Sequence, residues 1–167
     1  MIVFEERLRD LFKLLPEIQV NSNYSTKPFF GWGNKEELEA YIKLGKSKQY
    51  PLIWLLPYYD IYNSALDTTK RDVSLVIATI EPRSELMNPQ RFKGSFEQVL
   101  NPLTKNIIDL FKRSNITNLE PLVKIYKEPN YSDNEASDTI DKWDAVRIDC
   151  TLEINNFCLN QNIKWQN

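Results

Sequence analysis

WDAVRIDCTLEI, residues Trp143 to Ile154, carries the cleanest two-residue period in the chain. Val146, Ile148, Cys150, Leu152 and Ile154 alternate with Arg147, Asp149, Thr151 and Glu153, and successive side chains of a strand point to opposite faces. A strand with one buried and one wet face is therefore predicted, of the kind found in antiparallel sheets covered on one side. Upstream, LEPLVKIYK (Leu119 to Lys127) predicts another strand, and its Pro121 suggests a sheet edge or a strand start. Before that, SFEQVLNPLTKNIIDLFKR places Phe96, Val99, Leu100, Leu103, Ile107, Leu110 and Phe111 on one stripe between Ser95 and Arg113. The stripe predicts a long helix headed by a Ser95/Gln98 capping box, which Pro102 kinks or restarts.

DVSLVIATI (Asp72 to Ile80) and the proline-bracketed YPLIWLLP (Tyr50 to Pro57) are strand-length apolar runs, expected to pair antiparallel as a hairpin with a long loop. At the start of the chain Phe4, Leu8, Leu11, Phe12 and Leu15 recur at helical spacing until Pro16. Residues 21–33 (NSNYSTKPFFGWG) read as an irregular aromatic loop pinned by burial, and Asn34 with Glu37 caps a short second helix stopped at Gly45. The expected fold is α+β, one domain over residues 1–167. A mainly antiparallel four-stranded sheet carries helices on one face. Sheet and long helix occupy about residues 50–158, and the two N-terminal helices residues 3–15 and 35–44.

The 167 residues are 42% apolar and 26% charged with a net charge of −2, a globular composition without the basic surplus of a nucleic-acid binder. Glu5, Glu6, Arg7, Arg9 and Asp10 interrupt the N-terminal apolar stretch, so no signal peptide is expected, and no run reaches membrane-spanning length. Cys150 and Cys158 are an isolated pair, expected to be reduced, with Cys150 a buried inert thiol on the apolar face of its strand.

The chain has no histidine, which removes the commonest general base and the usual Ser/His and Cys/His pairs. Its four glycines form no phosphate-cradling loop. Asp72 and Glu81 lie about 30 Å apart as two ends of one strand, too far to share a cation. Asp133, Glu135 and Asp138 lack the glycine and closing glutamate of a calcium loop. No enzyme, metal or cofactor is expected. Attention falls instead on two long connections, Tyr58 to Arg71 and the acidic flap Glu128 to Lys142. Tyr58, Tyr59, Asp60, Tyr62, Lys70 and Arg71 in the first, with Asp133, Glu135 and Asp138 in the second, are the candidate subunit-interface residues. Tyr and Arg are favoured in interface cores, and the tyrosine cluster has too few cations to follow a nucleic-acid backbone.

KSKQYPLIWLLPYYD (Lys46 to Asp60), DVSLVIATI, SFEQVLNPLTKNIIDLF and WDAVRIDCTLEI together resemble the tail terminator or tail completion proteins of tailed phages, including connector rings of crAss-like podoviruses. The resemblance spans roughly Phe29 to Cys158 and rests on element order and a few aromatic positions. The chain departs from shorter members in its loop from Glu81 to Gly94 and in the acidic flap. The resemblance implies a structural virion protein, assembled in the host cytoplasm into a six- or twelve-fold homo-oligomeric ring at the neck. Its partners would be the portal and adjacent connector or tail proteins, with double-stranded DNA passing without sequence-specific contact and no membrane involved. A head-to-tail ring needs two different patches on each subunit, and the near-neutral charge suits a channel through which DNA slides. The competing expectation is a small intracellular binding or regulatory module that uses the acidic flap as a DNA mimic.

Overall fold

A computed structural model describes residues 3–43, 50–81, 87–131, 143–156 and 165. The predicted closing strand is present as β8 (Trp143–Asn155), and it pairs antiparallel along its whole length with β6 (Thr68–Ile80), from Thr68 opposite Asn155 to Ile80 opposite Trp143. This register sets the two faces. Val73, Leu75 and Ile77 lie opposite Cys150, Ile148 and Val146 on one face, all buried. On the other face Asp72, Ser74, Val76 and Ala78 lie opposite Thr151, Asp149, Arg147 and Ala145.

The first face is covered by α1 (Phe4–Phe12) and by a helical run made of α3 (Asn88–Arg91), a π-helical segment (Phe92–Leu100) and α4 (Asn101–Arg113). Phe4, Leu8, Leu11, Phe96, Leu103, Ile107 and Phe111 are essentially solvent-free there. Each such side chain contributes about 1.5–3 kcal/mol of burial free energy. The expected Ser95/Gln98 cap is not formed. The helix begins seven residues earlier, at Asn88, and Ser95 lies inside it, buried and donating to Glu81. The widened π-helical winding brings residues four and five apart onto one face, which buries Ser95, Phe96, Val99 and Leu100 together. Pro102 sits just past the junction of the π-helical segment and α4, and the chain stays helical through it, Leu100 and Asn101 both lying in the α region.

The four-stranded, one-face expectation is corrected in three ways. The main sheet has six strands and is mixed, in the order β3, β4, β6, β8, β7, with β5 also on β6. Here β3 is Phe29–Trp32, β4 Leu52–Leu55, β5 Ile61–Asn63 and β7 Thr117–Glu128. The aromatic stretch 21–33 is not irregular. Phe29–Trp32 lies parallel to Leu52–Leu55, and β1 (Ile18–Asn21) with β2 (Tyr24–Thr26) makes a separate small antiparallel ribbon. These strands are too short to show a period, and Gly31 masks the third. A Cβ on Gly31 would stand 2.6 Å from the Trp54 ring, so this strand pair packs only over glycine.

Finally, helices lie on both faces. Leu38 of α2 (Lys35–Lys43) packs with Trp54, Val76, Trp143 and Ala145 on the second face. The predicted cap of this helix is present and reciprocal, Asn34 N donating to Glu37 Oε2 at 2.7 Å and Glu37 N to Asn34 Oδ1 at 2.8 Å. The antiparallel pairing of the YPLIWLLP run with DVSLVIATI is as expected, with Leu52 opposite Ala78. At one end of the sheet the buried Arg91 guanidinium donates to Asp144 Oδ1 at 2.9 Å and ties the helical run to β8. The Asn130 N–H meets the same oxygen at 3.0 Å.

Candidate functional site

The Tyr58 to Arg71 connection is largely ordered ladder. After β4 the chain runs through β5, which pairs back onto β6 with Ile61 opposite Lys70 and Asn63 opposite Thr68. The turn between them is closed by Asn63, whose Oδ1 accepts from the N–H groups of Ala65 and Leu66, and by Asp67 in the left-handed region at φ 50°. Tyr62 donates its hydroxyl to Asp67 at 3.0 Å, which raises the phenol pKa above its ordinary value.

This hairpin is braced against α1. Arg71, only 4% exposed, donates from Nε to Asp60 at 2.5 Å and from Nη1 to Glu5 at 2.6 Å, with its guanidinium 4.3 Å over the Phe4 ring. Burial lowers the Arg71 pKa, but the two carboxylates outweigh it and hold the guanidinium charged. A second brace runs through Asn156, which donates to Asp67 and accepts from Arg7.

The braced hairpin exposes several large apolar side chains among the polar Asp60, Asn63 and Ser64. Tyr58 and Tyr59 stack at 4.7 Å and are both exposed, Tyr59 by 63%, and Ile61, Tyr62 and Leu66 are exposed beside them. Exposed aromatic pairs such as Tyr58 and Tyr59 are common anchors of protein contacts. Among the candidate residues, Tyr58 and Tyr59 form one exposed stack, Tyr62 stands opposite Thr69 and so projects from the other face of the ladder than Ile61, and Asp60 and Arg71 form the brace at the hairpin root. Lys70 points to the opposite face, where Glu120 of β7 binds its ammonium and raises its pKa. Asp133, Glu135 and Asp138, with most of the acidic flap, lie outside the described residues, as does Cys158. Sequence reasoning missed Ile61 and Leu66, although two large aliphatics in an otherwise polar loop were a usable signal. It also missed the braces Glu5 and Asn156, whose partners are remote in sequence.

Across the second face, between Leu56 and Tyr58 on one side and Leu122 and Lys124 on the other, lies an open cleft of about 450 Å³. Its floor is a ladder of cross-strand pairs: Ser74 donates to Asp149 at 2.7 Å, Thr151 to Asp72 at 2.6 Å, and Arg147 approaches Asp149 and Glu128. The hydroxyls are spent on holding carboxylates. Cys150 turns to the buried side of this strand, where burial, then Asp149 and Asp72, push its thiol up to about 12, far from a reactive thiolate. Among the described residues no group of three or more His, Cys, Asp or Glu side chains is arranged to hold a metal, and no helix is long and apolar enough to cross a membrane.

The chain is therefore an α+β protein whose mixed sheet carries a braced hairpin with exposed aromatic side chains. No family model and no curated protein matches it.

Proposed function

We propose that this chain is a structural, non-enzymatic subunit that assembles into a ring at the head-to-tail connector of a tailed phage, with the tail-terminator-like fold that its sequence resembles. The observation that carries the reading is the hairpin. Tyr58, Tyr59, Ile61, Tyr62 and Leu66 are exposed along a segment whose backbone is fixed by polar braces at its root, which preorganises it for contact with a partner. Tyrosines presented on a fixed backbone offer large contact area at low entropic cost, and they anchor many protein interfaces. On the open face Ser74 and Thr151 are both engaged in holding carboxylates, which supports the same reading.

Sedimentation velocity on the wild-type chain and on Tyr59→Asp/Leu66→Asp tests the proposal. The wild type is expected to sediment as a defined oligomer, alone or with its neighbouring neck proteins, and the variant as a folded monomer with unchanged circular dichroism. A wild type that stays monomeric in both settings overturns the reading.

A further inference from the structure

We propose that the open cleft on the second face of the sheet is a docking site for an arginine side chain presented by a partner protein, with Tyr58 as its aromatic wall and Asp72 as its carboxylate. The inference does not depend on the ring reading.

The cleft forms where the hairpin leaves the sheet. The Leu56 N–H donates to the Ser74 carbonyl at 3.0 Å, which sets Leu56 beside Ser74 and brings Tyr58, two residues on, alongside Asp72. Both Tyr58 and Asp72 line the cleft and both are exposed. Tyr59 backs Tyr58, stacked on it at 4.7 Å. The Tyr58 phenol sits above its ordinary pKa, first through Tyr59, then through loss of water and through the Asp72 carboxylate, so ring and carboxylate share one corner. At about 450 Å³ the cleft has the size of a ligand site.

Hydrogen-bonding capacity decides what fits. The floor hydroxyls are committed, Ser74 donating to Asp149 and Thr151 to Asp72, so each keeps only lone pairs. A carboxylate accepts and does not donate. The floor around Asp72 therefore offers acceptors alone. A sugar or other polyol needs donors as well, and an anion needs donors only. A guanidinium is donor-only, and its flat face stacks on a tyrosine ring while its edge meets a carboxylate.

Charge agrees. The second face of β6, β8 and β7 carries Asp72, Asp149, Glu153, Glu120 and Glu128. Against them stand Lys70, Arg147 and Lys124. Glu120 holds Lys70, and Arg147 lies between Glu128 and Asp149. Among the described residues no cation pairs with Asp72, whose side-chain partner is the Thr151 hydroxyl. Lys124 likewise has no carboxylate partner among the described residues. It stands on β7 opposite Asp149, two strands and about 10 Å across from β6, and so leaves the Asp72 corner uncompensated.

Methyl-detected NMR titration of the full chain with the blocked tripeptide acetyl-Gly-Arg-Gly-amide tests the site, in a monomer or a ring alike. The methyl groups of Leu56, Leu122 and Thr151 line the cleft and report its occupancy. Saturable shifts at these methyls are expected at millimolar peptide. The lysine analogue should bind more weakly, and neither acetyl-Gly-Glu-Gly-amide nor glucose should give saturable shifts. Asp72→Asn keeps an oxygen to accept from Thr151 and removes the charge, and it should weaken the arginine peptide about fivefold. Tyr58→Ala should weaken it about two- to fivefold, whereas Lys124→Gln should not weaken it. Methyl spectra unchanged away from the cleft confirm that each variant is folded. No saturable shift at the cleft, equal binding of the glutamate peptide, or an affinity unchanged in both Asp72→Asn and Tyr58→Ala overturns the inference. The oligomeric state, which tests the ring reading, is read separately and does not enter these outcomes.

Discussion

Replacing Arg71 by Met separates the hairpin from α1 while keeping an unbranched side chain of similar reach. The guanidinium makes two charge-assisted hydrogen bonds, to Asp60 and Glu5, and lies over Phe4. Bonds of this kind contribute about 1.5–3 kcal/mol each. Asp60 is 36% exposed and Glu5 23%, so both carboxylates regain water once released, and the lower end of that range applies. The cation–π contact adds about 0.5–1 kcal/mol, part of which the Met thioether recovers on the same ring. The net expectation is a loss of about 3–4 kcal/mol. For a chain of this size it corresponds to a melting temperature lower by about 6–16 °C. Urea titration should show the midpoint falling with an unchanged slope, which marks lost native stability and not a change in the denatured state. Assembly should weaken beyond what stability explains, because the hairpin must then be ordered on binding. A loss below about 0.5 kcal/mol, or full assembly at temperatures where the variant is folded, refutes the bracing role.

Asp144→Ala leaves the Arg91 guanidinium buried without its carboxylate and should cost about 3–5 kcal/mol, whereas Arg91→Met/Asp144→Leu, which removes both charges, should be distinctly more stable than the single variant in the same denaturation assay. Gly31→Ala drives a methyl group into the Trp54 ring and should cost about 1–3 kcal/mol, with a shift in tryptophan fluorescence reporting the displaced ring. The Cys150 thiol pKa rises from 9.0 to about 12 on folding, so the folded state holds the proton more tightly. Stability from this group is intact below pH 9 and is lost as pH climbs toward 12, at about 1.4 kcal/mol per pH unit. Relative to Cys150→Ala, wild type should lose about 2 kcal/mol between pH 8 and pH 10.5, and Cys150 should resist alkylation until the chain unfolds.

The alternation in β8 was legible because one of its faces is buried along most of the strand, which forces a strict period. Pro121 signalled an edge or a strand start, of which the structure shows the edge, and the cap of α2 was legible from the spacing of Asn34 and Glu37. β1, β2, β3 and β5 were not, since strands of three or four residues hold too few positions for a period to emerge and are defined by their pairing partners. The start of the long helical run was missed because the buried Arg91 and Ser95 read as exposed polar residues until Asp144 and Glu81 are seen beneath them. At the candidate surface the tyrosines stood out in sequence. The inward turn of Arg71 did not, because its partners Asp60 and Glu5 lie 11 and 66 residues away.

The proposed function stands or falls on this chain acting as one unit of a closed ring. Native mass spectrometry of the purified chain, and of the chain mixed with the portal and connector proteins proposed as its partners, counts the copies directly. A single closed multiple, six or twelve, which dissociates to folded monomers in Tyr59→Asp/Leu66→Asp, is the predicted result. A chain that remains monomeric in both preparations contradicts it.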